Sequence, residues 1–178
     1  MRSMYKKLSG FTLLELIIVI GIIAVLSVMI LAIVNPLAQF QKANDTRRKE
    51  DLAQVQRALE QYYQDNGVYP TGTQSYTITN PQLTPIPWGS SWAPYMNVLP
   101  ADVDANRSYV YVSTGQSYWI YASFERGGKD VQACKTSDNN CQLSPLSSSC
   151  KCPNVPNGAT CGGGNVCTYG VSSPNTTP

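Results

Sequence analysis

The sequence predicts an α+β fold in which a long N-terminal helix, half transmembrane and half amphipathic, packs on a small antiparallel sheet followed by a disulfide-rich tail. Three observations predict this fold. Residues 11–34 form an apolar run, residues 52–63 carry apolar side chains at helical spacing, and residues 108–124 are rich in β-branched and aromatic side chains. A small sheet needs an apolar partner to be stable, and the helical stripe would provide one.

The first element is the apolar run at residues 11–34, which holds 17 Leu, Ile, Val or Phe residues and a single charged residue, Glu15. As a helix it would reach about 36 Å, which is enough to cross a hydrocarbon core of about 30 Å. Its apolar residues favour insertion by about 5–10 kcal/mol, against roughly 3 kcal/mol for one acid at mid-membrane. The run is therefore predicted to enter a membrane with its carboxylate in place.

The second element is an amphipathic continuation of the same helix. We expect one helix of about 55 residues with a kink at Pro36, because proline removes a backbone donor but helical patterning resumes after it. The alternative is that Pro36 ends the membrane helix. Gly67 and Pro70 mark the stop. The transmembrane half is then 11–36 and the amphipathic half 37–66. The apolar stripe of the second half consists of Leu52, Val55, Leu59, Tyr62 and Tyr63.

A globular head is predicted for residues 67–133. Residues 108–113 and 118–124 have the composition of two antiparallel strands joined by a short turn. Residues 130–134 are the candidate for a third strand, and residues 76–79 for a short separate one. One face of this meander would lie on the helical stripe.

The third region, residues 134–171, contains every cysteine of the chain. The chain has no histidine, and its closest cysteine pair is separated by one residue, which disfavours zinc. An even number of cysteines in an oxidising compartment favours three disulfides, with free or intermolecular thiols as a further alternative. The sequence does not select among the possible pairings. Residues 172–178 are expected to be disordered. The cysteines are Cys134, Cys141, Cys150, Cys152, Cys161 and Cys167.

Several functional classes find no support in the composition. Without its first ten residues the chain holds 10 basic and 11 acidic side chains, so nothing indicates nucleic-acid binding. A catalytic set is not recognisable, and we predict neither an enzyme nor a cofactor. Asp102, Asp104 and Asn106 have the spacing of a calcium loop, but Arg107 stands where such a loop needs glycine. The alternative is an Asp/Asn-rich turn.

The N-terminal residues resemble the processing site of type IV pilins and of the pseudopilins of type II secretion. The resemblance rests on a short basic leader, residues 1–10, that ends at Gly10, with Phe11 next and Glu15 four positions later. It implies that a prepilin peptidase cuts after Gly10 and N-methylates Phe11. It also implies that Glu15 pairs with the Phe11 amine of a neighbouring subunit. Major pseudopilins bind calcium in a head loop, and pilins pin a variable C-terminal loop with a disulfide.

The resemblance implies a structural filament subunit whose partners are copies of itself, the peptidase and the membrane assembly machinery. The basic leader predicts a cytoplasmic N-terminus before assembly, despite the counter-signal at Arg47 and Arg48. The destination would be a surface pilus, which the elaborate tail favours, or a periplasmic pseudopilus. The alternative function is a membrane-tethered binding module that does not polymerise.

Overall fold

The computed structural model describes residues 10–134 and 152–176, with the backbone alone for residues 31–34. The chain divides into a unit that ends at Phe40 and a head unit that begins at Gln41. Each unit is described by itself.

The prediction of one continuous helix is wrong, because two helices meet at Asn35. Helix α1 spans Leu13–Val34 and helix α2 spans Pro36–Asn66. Asn35 has the left-handed conformation (φ 41°) and its Oδ1 accepts a hydrogen bond from the Ala38 N–H at 3.3 Å. A residue before proline is disfavoured in the right-handed helical region, and asparagine tolerates the left-handed one. Pro36 therefore opens a helix, at the position where its missing N–H costs nothing.

The sheet of the head is confirmed as antiparallel, with strand order β3-β4-β5. A separate two-stranded ladder pairs β1 (Ile78–Thr79) with β2 (Pro85–Ile86). Strands β3 (Val110–Ser113) and β4 (Tyr118–Ala122) form the predicted hairpin, in which Val110 lies opposite Tyr121. Strand β5 is Tyr169–Ser172 and pairs with β4.

The third strand therefore comes from a part of the chain that was not predicted to form one. Residues 130–134 follow a 3₁₀ turn at Gly127–Lys129 and lie in turns, so the prediction of a strand there is wrong. The prediction of disorder from residue 172 is also wrong for residues 172–176. Ser172 ends strand β5, and Ser173 is fully buried and donates its N–H to the Tyr118 carbonyl at 3.1 Å.

The predicted stripe of α2 forms the core with one face of the sheet. Leu52, Val55 and Leu59 are fully buried and belong to one apolar cluster with alternate residues of β3 and β4. The alternation follows from the two-residue period of a strand. The sheet residues of this cluster are Tyr109, Tyr111, Tyr118, Ile120 and Ala122.

The opposite face of the sheet is covered by the cysteine-rich segment. Val110 and Tyr121 point to this side and pack in a second apolar cluster with the disulfide-bonded Cys152, Cys161 and Cys167. The head therefore has three layers, with a helix on one face of the sheet and the cysteine-rich segment on the other. Burying both faces gives a three-stranded sheet the apolar contacts that it lacks alone.

Buried phenol groups make the head sensitive to alkali. Tyr69 and Tyr118 donate hydrogen bonds to the two oxygens of Glu60 at 3.0 and 2.9 Å. Burial, and then the Glu60 hydrogen bond, raise the pKa of Tyr69 from 10.0 to about 12. Because the folded pKa is the higher one, the contribution of this tyrosine is complete below pH 10 and is lost as the pH rises towards 12.

We therefore expect Tyr69→Phe to be less sensitive to alkali than the wild-type protein. Between pH 9 and pH 11 the wild-type protein should lose about 1.4 kcal/mol more of its free energy of unfolding than the variant. Urea unfolding of both proteins at the two pH values, followed by circular dichroism, measures the difference. Equal losses in both proteins would contradict the prediction.

Candidate assembly site on the N-terminal helix

The carboxylate of Glu15 is held at the start of α1 by a capping box. Thr12 is the N-cap residue, and its side-chain oxygen accepts a hydrogen bond from the Glu15 N–H at 3.2 Å. In return, the Thr12 N–H and hydroxyl donate to Glu15 Oε2 at 3.0 and 2.8 Å. The pattern satisfies orphan donors of the first turn and places a negative charge at the positive end of the helix dipole.

The remainder of α1 presents an apolar surface on every side. Leu13–Ile30 is long and apolar enough to cross a membrane, and its side chains are exposed in the isolated chain. Ser27 is a polar exception, but its hydroxyl donates to the Ile23 carbonyl at 2.7 Å, inside the helix. A helix that is apolar all round needs lipid or other helices around it.

Gly10 and Phe11 lie just before this helix and are accessible. Phe11 is 84% exposed, and a Cβ added at Gly10 would have no atom within 4 Å. The peptide bond between them is therefore open to a peptidase. Cleavage there, and methylation of Phe11, stay predictions.

The head contains a buried charged group that sequence reasoning missed. The side chain of Arg48 is 1% exposed and forms ion pairs with three carboxylates, those of Asp45, Asp102 and Glu125. The pairing with Asp102 is bidentate, with Nε and Nη2 donating at 2.7 and 2.8 Å. Burial lowers the pKa of Arg48, but the Asp102 hydrogen bonds and charge outweigh burial and hold it above its ordinary value. Burial raises the pKa of Asp45, against the pull of its hydrogen bonds.

A signal for Arg48 was present in the sequence. Arg48 lies four residues before Leu52 and three after Asp45, so both extend the apolar stripe of α2 back by one turn. A charge on the buried face of a helix indicates a partner elsewhere in the fold. The neighbouring Arg47, which is exposed, drew attention instead to membrane topology.

The predicted calcium candidate does not fit a metal. Both oxygens of Asp102 accept hydrogen bonds from Arg48. Asp104 accepts from the Asn106 N–H at 2.9 Å and from Arg107 Nε at 3.2 Å. Within residues 10–134 and 152–176, the structure contains no group of three or more acidic or cysteine side chains arranged to hold a metal. The loop is therefore the Asp/Asn-rich turn that was the alternative interpretation.

Two disulfides are present in the part of the cysteine-rich region that the structure describes. Cys134 pairs with Cys152, and Cys161 pairs with Cys167. Cys141 and Cys150 lie outside the described residues, so a third disulfide remains a prediction. The first bridge links the chain after the 3₁₀ turn to the segment that leads into β5.

An apolar N-terminal helix with one acid in its first turn, followed by a disulfide-containing α+β head, defines the class of the pilin-like membrane-anchored proteins. Comparison with known families agrees. Residues 5–31 match the model of the prokaryotic N-terminal methylation motif. Residues 35–143 match the model of type II secretion system (T2SS) protein G. Because that match covers more than half of the chain, the chain belongs to the type II secretion system protein G family.

Individual relatives have the same character. The chain is 31% identical to type II secretion system core protein G of Vibrio cholerae over 135 residues, 72% of this chain and 90% of the relative. It is 35% identical to the Escherichia coli K12 protein of that name over 112 residues, 62% of this chain and 75% of the relative. The Pseudomonas aeruginosa protein of that name is 29% identical over 135 residues, 72% of this chain and 93% of the relative. No solved structure matches the chain.

The family match ends within the cysteine-rich region. Strand β5 and the Cys161–Cys167 disulfide lie beyond residue 143. The layer that covers the second face of the sheet is thus built largely by residues outside the family-matched segment.

Proposed function

We propose that this chain is a structural subunit of a pilus-like filament of a type II secretion system, anchored in the membrane by α1 before assembly. The observation that carries the proposal is an all-round apolar helix that begins with a capped acid, in a chain of the protein G family. The family favours a periplasmic pseudopilus over the surface pilus that the tail suggested. Partners are expected to be other pseudopilins, the peptidase and the secretion machinery of the membrane.

Assembly on this proposal exchanges lipid contacts of α1 for contacts with other copies of α1. The exchange costs little for apolar side chains, because lipid and neighbouring helices are similarly apolar. The Glu15 charge is different, since a buried ion needs a partner of opposite charge. Thr12 donates to Oε2, and these neutral donors leave the charge itself unbalanced.

The partner that the proposal assigns to Glu15 is the α-amine of Phe11 in an adjacent subunit. Cleavage after Gly10 creates this amine four residues before Glu15. A pair of this kind forms at one axial offset between neighbouring helices, so it would set the register of the filament. The proposal thus links processing to assembly, because an uncleaved chain has no amine at that position.

Mass spectrometry of the mature protein tests the processing step. We expect the native chain to begin at Phe11 and to carry the mass of one added methyl group. A Gly10→Val variant should keep its first ten residues, because the added side chain obstructs a site that is open in the wild-type protein. A native chain that keeps its leader and stays monomeric would support the membrane-tethered binding module instead.

A further inference from the structure

The head holds a permanent cation at the centre of its acidic residues. Arg48 lies on the buried face of α2, and its guanidinium contacts Asp45 on the same helix. It also contacts Asp102 in the long connection before β3 and Glu125 just after β4. The side chains of Arg48 and Asp102 are each 1% exposed, and that of Asp45 is 4% exposed. Three segments distant in sequence therefore meet at one side chain.

The carboxylates around Arg48 have their oxygens occupied by protein donors. Asp45 Oδ1 accepts from Arg48 and from the Glu125 N–H, and Asp45 Oδ2 accepts from the Arg126 N–H. Asp102 Oδ1 accepts from Arg48 and from the Asp104 N–H, and Asp102 Oδ2 accepts from Arg48. Glu125 Oε1 accepts from Arg48 and from the Asn44 amide.

A divalent cation would have to compete with this arrangement. Calcium takes six to eight oxygen ligands at about 2.3–2.6 Å, many of them carboxylates. At least five of the six carboxylate oxygens here already accept hydrogen bonds. The fixed positive charge of Arg48 would repel a second cation at contact distance. Arginine also keeps its proton at any accessible pH.

We propose that Arg48 is the built-in cation of the head, and that the head is stable without the calcium that the resemblance to major pseudopilins implies. The guanidinium ties α2 to the connection before β3 and to the chain after β4, which is a task that a bound ion performs in other proteins. The connection does not depend on the supply of calcium outside the membrane. The inference concerns the head alone, and its test does not require filament assembly.

The first test is thermal unfolding of the full-length chain in detergent micelles, with excess calcium or with the chelator EGTA. Near-ultraviolet circular dichroism reports on the head, because all three tryptophans lie there. A cation that binds the folded head at a hundred times its Kd would raise Tm by roughly 5–10 °C. We expect Tm to be equal in calcium and in EGTA. A Tm several degrees higher in calcium would overturn the proposal.

The second test removes the guanidinium. Arg48→Met keeps much of the side-chain length but leaves three buried carboxylates without their cation, and should lower Tm by at least about 6 °C. Arg48→Lys keeps the charge without the bidentate geometry, and should have an intermediate Tm. Arg57→Met on the exposed face of α2 is the matched control and should leave Tm unchanged.

Each result of the second test bears on the proposal. An Arg48→Met chain that melts like the Arg57→Met control would overturn the role of Arg48. A chain that does not fold supports that role, and the calcium comparison on the wild-type protein then still decides whether a metal is needed.

Discussion

Replacement of Glu15 by leucine is expected to leave membrane insertion and cleavage intact and to reduce filament assembly at least tenfold. Insertion should improve slightly, because the variant removes the single charge of an apolar run of 24 residues. Assembly should fail because the neighbouring Phe11 amine would be buried without its carboxylate. A hydrogen bond to a charged group is worth about 1.5–3 kcal/mol, which is ten- to a hundredfold in each subunit contact.

The measurement is the amount of the chain in sheared or sedimented filaments, relative to the cleaved chain in the membrane. Ser27→Ala is the matched control, because it removes a polar group from the same helix whose hydrogen bond is internal. That control should assemble normally. Wild-type amounts of filament from Glu15→Leu would refute the pairing of Glu15 with a neighbouring amine.

Substitution of Gly162 by alanine is expected to destabilise the head by about 3 kcal/mol. Gly162 has φ +81°, and an added Cβ would lie 2.6 Å from the Ser108 backbone nitrogen and 2.7 Å from backbone atoms of Arg107. That nitrogen donates to the Cys161 carbonyl at 3.0 Å, so the clash would separate the cysteine-rich segment from the chain leading into β3. The left-handed backbone costs roughly 1–2 kcal/mol, and overpacking adds about 1–3 kcal/mol.

Gly158→Ala separates these two contributions. Gly158 has nearly the same conformation, with φ +83°, but an added Cβ there would meet nothing within 4 Å. Only the backbone cost of roughly 1–2 kcal/mol should appear. Urea unfolding of the two variants and the wild-type protein measures the difference. Equal losses from both variants would show that the close approach of Gly162 to Ser108 contributes no stability.

The elements that the sequence predicted well are those determined by local pattern. The apolar run, the stripe of Leu52, Val55 and Leu59, and the β3–β4 hairpin each depend on residues close together in the chain. Helix and strand periods of this kind are visible in the amino-acid order itself. The break at Asn35 was within reach too, because the residue before proline avoids helical geometry.

Strand β5 could not be predicted in the same way. Tyr169–Ser172 is short and is separated from its partner β4 by 46 residues that include the disulfide-bonded segment. Residues 130–134 are nearer in sequence and were preferred for that reason. A strand of four residues has little intrinsic preference, and its pairing depends on the neighbours that the fold provides.

The candidate assembly site and the Arg48 group show the same contrast. Gly10, Phe11 and Glu15 lie within six consecutive residues, so their spacing could be interpreted directly, and Thr12 then completes a capping box in one helical turn. Arg48 binds carboxylates that are 54 and 77 residues away in the sequence. Its neighbours in the chain did not indicate which acids would approach it.

The amino-acid order alone thus determined that this protein has a membrane-compatible helix with one acid at its start, an amphipathic helix and a β-hairpin, because these follow from local periodicity. Only the tertiary structure decided that Arg48 is buried among three carboxylates, that β5 completes the sheet, and that the cysteine-rich segment covers its second face. The physical reason is that burial and ion pairing are set by which distant segments come together, and local pattern carries little information about that.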